Sequence, residues 1–264
     1  MNLSIELISK YRSQIMGFAI LWVMLSHVPI PCGDIDILSF FQYIGFGGVE
    51  LFMIVSGFGL FFALKKTPSP KEYYIRRIVR IIPVWLFCVV LLYFFCNEYS
   101  LFSLDFIRRV GQCWWYIPFI LIIYAVSPLV YNAIVAEKKW KIICIIISVV
   151  AIQVIYKLSG FSNIMINLAF ARFFDFLLGM WFAKLMTMGK TLSLPVVVIS
   201  GLSGLTIVYC LRSGYLLPGF WSENFDLRLY PMILVGPMFC YLIIWISSLS
   251  KYISNYCCPI KTRT

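Results

Sequence analysis

Charge is what this 264-residue chain has least of: Asp, Glu, Lys and Arg together make up 12% of it, about half the share of an average soluble domain. Hydrophobic residues make up 62%, with a mean hydropathy of +0.92. A soluble globular fold is therefore excluded, since there is too little charge to cover its surface. An aromatic content of 18% excludes disorder as well, because such a chain has ample apolar surface to collapse. Histidine is nearly absent, with His27 the only one. No CxxC pair occurs among the nine cysteines, and no metal-ligand set is expected. Cys88, Cys96, Cys144, Cys210 and Cys240 lie inside or at the ends of apolar runs, where thiols pack as small hydrophobes. No internal repeat and no low-complexity segment is visible. No cleaved leader is expected: Glu6, Lys10 and Arg12 precede a long apolar run, and no small-x-small site follows Pro31. Acid is scarcer than base, 11 residues against 22, which leaves a net charge of +11. In so apolar a chain the excess base points to cytoplasmic loops rather than to nucleic acid.

What is present is long hydrophobic runs. Eight can be marked, at 13–31, 40–64, 78–96, 113–134, 140–158, 164–185, 191–211 and 229–249. Each has about the 20 residues that a helix needs to cross a hydrocarbon core of about 30 Å. The expected fold is an all-α polytopic bundle of about eight transmembrane helices. With the N-terminus inside, sixteen Lys and Arg residues fall in cytoplasmic segments and five outside, which decides for N-in and C-in. The domains follow: residues 1–12 form a cytoplasmic N-terminus, 13–250 the membrane domain and 251–264 a cytoplasmic tail. In this topology Asp34, Glu98, Lys157 and Glu223 face outside, and Lys71, Lys138, Lys190 and Lys261 face the cytoplasm. Cysteines placed singly at these eight positions are expected to divide four and four toward an impermeant thiol reagent. Labelling at position 71 in intact cells overturns the assignment.

Ionisable groups within such runs are costly to keep, and they face the bundle interior or a water-filled cavity. His27 stands near the outer end of the first run, one turn before Pro31. It is either a packing or interfacial residue or a group that exchanges protons near neutral pH. Glu50 follows the glycine run Gly45-Phe46-Gly47-Gly48, which either lets backbones approach closely or breaks the helix. The second helix descends from outside, so His27 and Glu50 both fall in the outer half of the membrane. That suits a base with an orienting carboxylate; an ion pair of Glu50 with Arg172 is the alternative. Arg76, Arg77 and Arg80 open the third run. They read either as a topogenic anchor or as a phosphate site, with Arg77 and Arg80 on one face. Arg172 and Asp175 sit three residues apart in the sixth run, as a structural or cavity-lining pair. Trp115 and Tyr116 open the fourth as an aromatic belt or a sugar-stacking surface.

As a set these segments resemble acyltransferase family 3, the membrane O-acyltransferases of sugars and polysaccharides. Ile15-Met16-Gly17-Phe18-Ala19-Ile20-Leu21 leading to Ser26-His27 is similar to the family's first helix. Gly48-Val49-Glu50-Leu51-Phe52-Met53-Ile54-Val55-Ser56-Gly57-Phe58 is similar to its second-helix signature. Tyr73-Tyr74-Ile75-Arg76-Arg77-Ile78-Val79-Arg80-Ile81-Ile82-Pro83 is similar to its basic start of helix three. Trp115-Tyr116-Ile117-Pro118 and Arg172-Phe173-Phe174-Asp175-Phe176-Leu177-Leu178-Gly179 are similar to later blocks. The family places an arginine eleven residues before its histidine, where this chain has Met16. Arg12 lies one turn earlier on nearly the same face and is expected to stand in for it. The family bundle has about ten helices, so a chain shortened at its C-terminus is expected.

The resemblance implies transfer of an acyl group, acetyl in the simplest case, from cytoplasmic acyl-CoA to a hydroxyl of an envelope carbohydrate. The setting is the plasma membrane. Acyl-CoA enters as co-substrate, and no bound cofactor is expected. His27 and Glu50 are the expected catalytic pair. Arg12, Arg77 and Arg80 are expected to hold the CoA phosphates, and Trp115, Tyr116, Arg172 and Asp175 to line the acceptor site. A transporter-like bundle and an inactive truncated relative are the alternatives.

Overall fold

A computed structural model describes residues 2–28, 36–67, 69–95, 116–159, 164–213 and 227–257. Every regular element among them is a helix apart from one isolated bridge. The α-helices are α1 (Ile5–Lys10), α2 (Arg12–His27), α3 (Asp36–Tyr43), α4 (Gly47–Lys66), α5 (Pro70–Phe95), α6 (Tyr116–Val135), α7 (Lys139–Leu158), α8 (Ile164–Thr187), α9 (Leu194–Arg212) and α10 (Met232–Cys257). Short 3-10 turns at Ile44–Phe46 and Leu227–Leu229 join them.

Among the described residues five segments are long and apolar enough to cross a membrane: Ser39–Lys66, Tyr116–Val135, Lys139–Leu158, Leu194–Arg212 and Met232–Ser250. They correspond to five of the eight apolar runs. The other three runs also fold as helices, each with a physical departure from a plain span. Helix α2 has only 16 residues, fewer than the roughly 20 that a crossing needs, and ends where Val28 turns extended ahead of Pro31. The first three turns of α5 hold Lys71, Glu72, Arg76, Arg77 and Arg80. Helix α8 carries Arg172 and Asp175 among its buried side chains.

The chain divides into two compact units. Unit one comprises residues 1–59 and 174–264. Ser4 caps α1, accepting from the Leu7 backbone N–H at 3.4 Å. Leu3 and Leu192 exchange backbone hydrogen bonds of 3.0 and 3.2 Å, which ties the N-terminus to the α8–α9 turn, where Gly189 takes a φ of +76°. The core gathers Ile15, Ala19 and Trp22 of α2, Leu51 and Met53 of α4, Phe176 and Met180 of α8, and Val235 and Ile244 of α10. Proline at 237 lies within α10; membrane helices tolerate it because neighbouring groups satisfy the freed carbonyl.

Unit two comprises residues 60–173, in which α6 packs against α5 and against α7. Val130, Ile123 and Ala133 of α6 are buried. Helix α7 is the opposite. Ile143, Ile147, Ile152, Ile155 and Leu158 are all exposed, and only 6% of its apolar window is covered. Water would penalise such a surface, whereas lipid is as apolar as the side chains themselves. The described cysteines Cys88, Cys144, Cys210 and Cys240 carry free thiols.

Candidate active site

His27 is the last residue of α2, and its side chain is exposed. Its Nδ1 lies 2.8 Å from the carbonyl oxygen of Val23, one turn back, and 3.2 Å from Ser26 Oγ. Ser26 Oγ itself donates to the same carbonyl at 2.7 Å. A carbonyl only accepts, so Nδ1 carries a proton. This bond orients the ring and leaves Nε2 as the nitrogen for a second partner. The group orienting it at Nδ1 is thus a backbone carbonyl, in the place that the sequence reading gave to the Glu50 carboxylate.

Glu50 sits in the first turn of α4 and is 1% exposed. The positive end of the helix dipole favours a carboxylate there. The glycine run both breaks the helix, as the 3-10 turn at 44–46, and permits close approach. A Cβ on Gly45 would lie 2.5 Å from the Ser26 Cβ, and one on Gly48 would lie 2.7 Å from Val23 Cγ2. The turn that carries Glu50 therefore packs on Ala19, Trp22 and Val23 of α2, while the 3-10 turn before it meets Ser26, the neighbour of His27. Two bonds fasten the end of α2 to α3: Trp22 Nε1 donates to the Phe41 carbonyl at 3.2 Å, and Gln42 Nε2 to the Val28 carbonyl at 2.5 Å.

Arg12 opens α2 at the opposite end from His27, about 22 Å away along the axis. It is exposed, and its guanidinium lies over Gly59 of α4. A Cβ on Gly59 would come within 2.6 Å of Arg12 Nη2. Asp175 is 2% exposed in α8 and completes the candidate residues of unit one.

In unit two, Arg77 is half-buried with its guanidinium over two rings, 5.6 Å from the centre of Tyr73 and 5.8 Å from that of Tyr124. Its Nε–H is buried without a hydrogen-bond partner. Arg80, one turn on, is exposed, so the two arginines share a helix face but not an environment. Arg76 is engaged at the surface by Glu72. Tyr116, the first residue of α6, lies within electrostatic reach of Tyr124 and Arg172. Arg172 is 3% exposed. The structure thus brings Tyr116 and Arg172 together. Trp115 lies outside the described residues.

Sequence reasoning missed Tyr73, Tyr124 and Ser127, which surround Arg77. Two signals pointed to them: Tyr73 stands four residues before Arg77 and so shares its face, and a Ser-Pro pair stands at 127–128 inside an apolar run.

The acyltransferase domain family matches residues 15–259 of the chain. No curated protein and no solved structure matches it. The match spans most of the sequence, and the chain belongs to acyltransferase family 3. It is a membrane protein of the acyltransferase class, with His27, Glu50, Arg77 and Arg172 all inside the matched region.

Proposed function

We propose that the protein transfers an acyl group, acetyl in the simplest case, from cytoplasmic acyl-CoA to a hydroxyl of an envelope carbohydrate at the plasma membrane. The observation that carries this reading is the Val23 carbonyl holding Nδ1–H of His27, which leaves Nε2 to act on a substrate. A carbohydrate hydroxyl is a poor nucleophile until a base takes its proton. His27 Nε2 takes that proton as the hydroxyl oxygen attacks the thioester carbon. The carbon–sulfur bond then breaks, and the imidazolium returns the proton to the departing thiolate, leaving an ester and free CoA. Glu50, in the turn packed against α2, supplies negative charge that favours the imidazolium. The acceptor is read as carbohydrate on the family resemblance, and within unit two Tyr116 and Arg172 are groups of the kind that suit a ring with several hydroxyls.

Arg77 suits the donor. CoA carries phosphates, and a half-buried guanidinium held over two ring faces offers them a fixed positive charge. Arg77→Ala is expected to weaken CoA binding by about tenfold to a hundredfold. Arg80→Ala weakens it less, because the exposed Arg80 side chain is less fixed by its surroundings than that of Arg77. Lys65→Ala leaves it unchanged. Titration of the purified chain with CoA checks all three. Unchanged binding in both arginine variants reduces the arginines to membrane anchors. Turnover of labelled acetyl-CoA by the reconstituted protein tests the reaction itself.

A further inference from the structure

The polar cluster beneath Arg77 has its origin in α6. Pro128 has no backbone N–H, so the carbonyl of Tyr124, four residues earlier, lacks its helical partner. An orphaned carbonyl inside a bundle must find another donor. Ser127 Oγ donates to it at 2.9 Å. That uses the only hydroxyl proton of Ser127, so the contact of 2.5 Å between Tyr73 and Ser127 has a definite direction: Tyr73 donates and Ser127 Oγ accepts. The Tyr73 hydroxyl also stands 3.5 Å from the Tyr124 carbonyl. Next along α5, the Tyr74 hydroxyl donates to the Ala125 carbonyl at 3.2 Å. The start of α5 is thereby fastened to the proline break of α6 by two adjacent tyrosines.

The Tyr73 ring is 1% exposed. With its hydroxyl anchored, the ring is fixed, and Arg77 rests over its face and over that of Tyr124. An aromatic face holds a guanidinium by its charge without consuming an N–H.

The geometry points to Tyr73 as a positioning residue for the acyl donor: through the relay Tyr73–Ser127–Tyr124 carbonyl, created by Pro128, it aims the guanidinium of Arg77 at a phosphate of CoA. This rests on the reading of Arg77 as a donor-binding group. Neither Tyr73 nor Ser127 touches the donor; each acts through Arg77.

A double-mutant cycle on the full chain, with CoA as the titrated probe, tests it. Tyr73→Phe keeps the ring and loses only the hydroxyl. It is expected to raise the Kd for CoA about threefold to tenfold and the KM for acetyl-CoA in parallel, with kcat unchanged. Arg77→Lys keeps the charge but loses the fork, and is expected to raise Kd about tenfold. If Tyr73 acts through Arg77, the double variant binds no more weakly than Arg77→Lys alone, because groups in one network are not additive. Unchanged binding in Tyr73→Phe overturns the proposal, and so does multiplication of the two losses. Ser127→Ala cuts the same relay from the other side and is expected to match Tyr73→Phe; it serves where Tyr73→Phe does not fold. Failure of the parent chain to bind CoA removes the donor reading and this proposal together. Normal binding with an additive cycle removes this proposal alone.

Discussion

A His27→Ala chain is expected to lose acyl transfer by about 10²–10⁴-fold, while it still inserts into membranes and binds CoA. The reason is local. His27 is the only histidine in the chain, so no other imidazole replaces it. Its side chain is exposed and buries little on folding, so its removal leaves the packing of α2 on Ile15, Ala19 and Trp22 in place. His27→Gln is the sharper test. The amide Nε2–H₂ donates but does not accept, so it restores size and polarity without restoring a base. Glu50→Gln is expected to lose less activity than His27→Ala, since Nδ1 is already held by the Val23 carbonyl and the carboxylate contributes only charge. The measurement is turnover of labelled acetyl-CoA in reconstituted vesicles, beside CoA titration of the same preparations. Full activity in His27→Ala removes the catalytic assignment and leaves His27 an interfacial side chain.

The helices were legible in the sequence because length and apolarity identify a span without any knowledge of its neighbours. Their interruptions were legible only in part. The glycine run at 45–48 signalled either a break or a close approach, and the structure contains both. The partners of His27 and Ser127 were not legible. In each case a partner is a backbone carbonyl, of Val23 and of Tyr124, and a carbonyl carries no residue-type signature. Direction around the helix was not legible: Arg77 is half-buried and Arg80, one turn on, is exposed. Depth along a helix and direction around it are independent, and in a helix apolar on all sides the sequence reports only the first. The environment of Arg77 is set by Ser127 and Pro128, some fifty residues away, and no local pattern contains that pairing.

Replacing Gly57 or Gly179 is expected to weaken the folded state rather than the chemistry. Within unit one α4 and α8 approach each other through these two residues, and the contact is reciprocal. A Cβ on Gly57 would strike the carbonyl oxygen of Phe176, and a Cβ on Gly179 would strike the backbone of Ile54. Backbone cannot swing aside as a flexible side chain can, so the helices must separate. Ile54, Phe176 and Met180 would then lose their packing. In lipid that loss is serious, because membrane helices associate through close packing rather than through expulsion of water. Overpacking typically destabilises by about 1–3 kcal/mol, and here backbone blocks relaxation at both glycines. Gly57→Val and Gly179→Val are therefore expected to reach the membrane in lower yield and to unfold in detergent at temperatures where the parent survives. Gly17 supplies the control: it lies in α2 with nothing within 4 Å of its Cβ position. Gly17→Ala is expected to be neutral or to stabilise by up to about 1 kcal/mol, from helix propensity. Thermal unfolding followed by size-exclusion fluorescence separates these outcomes. Stable, monodisperse protein from both valine variants would show that α4 and α8 do not pack at these glycines, and that the Ser56-Gly57-Phe58 segment serves something other than close approach.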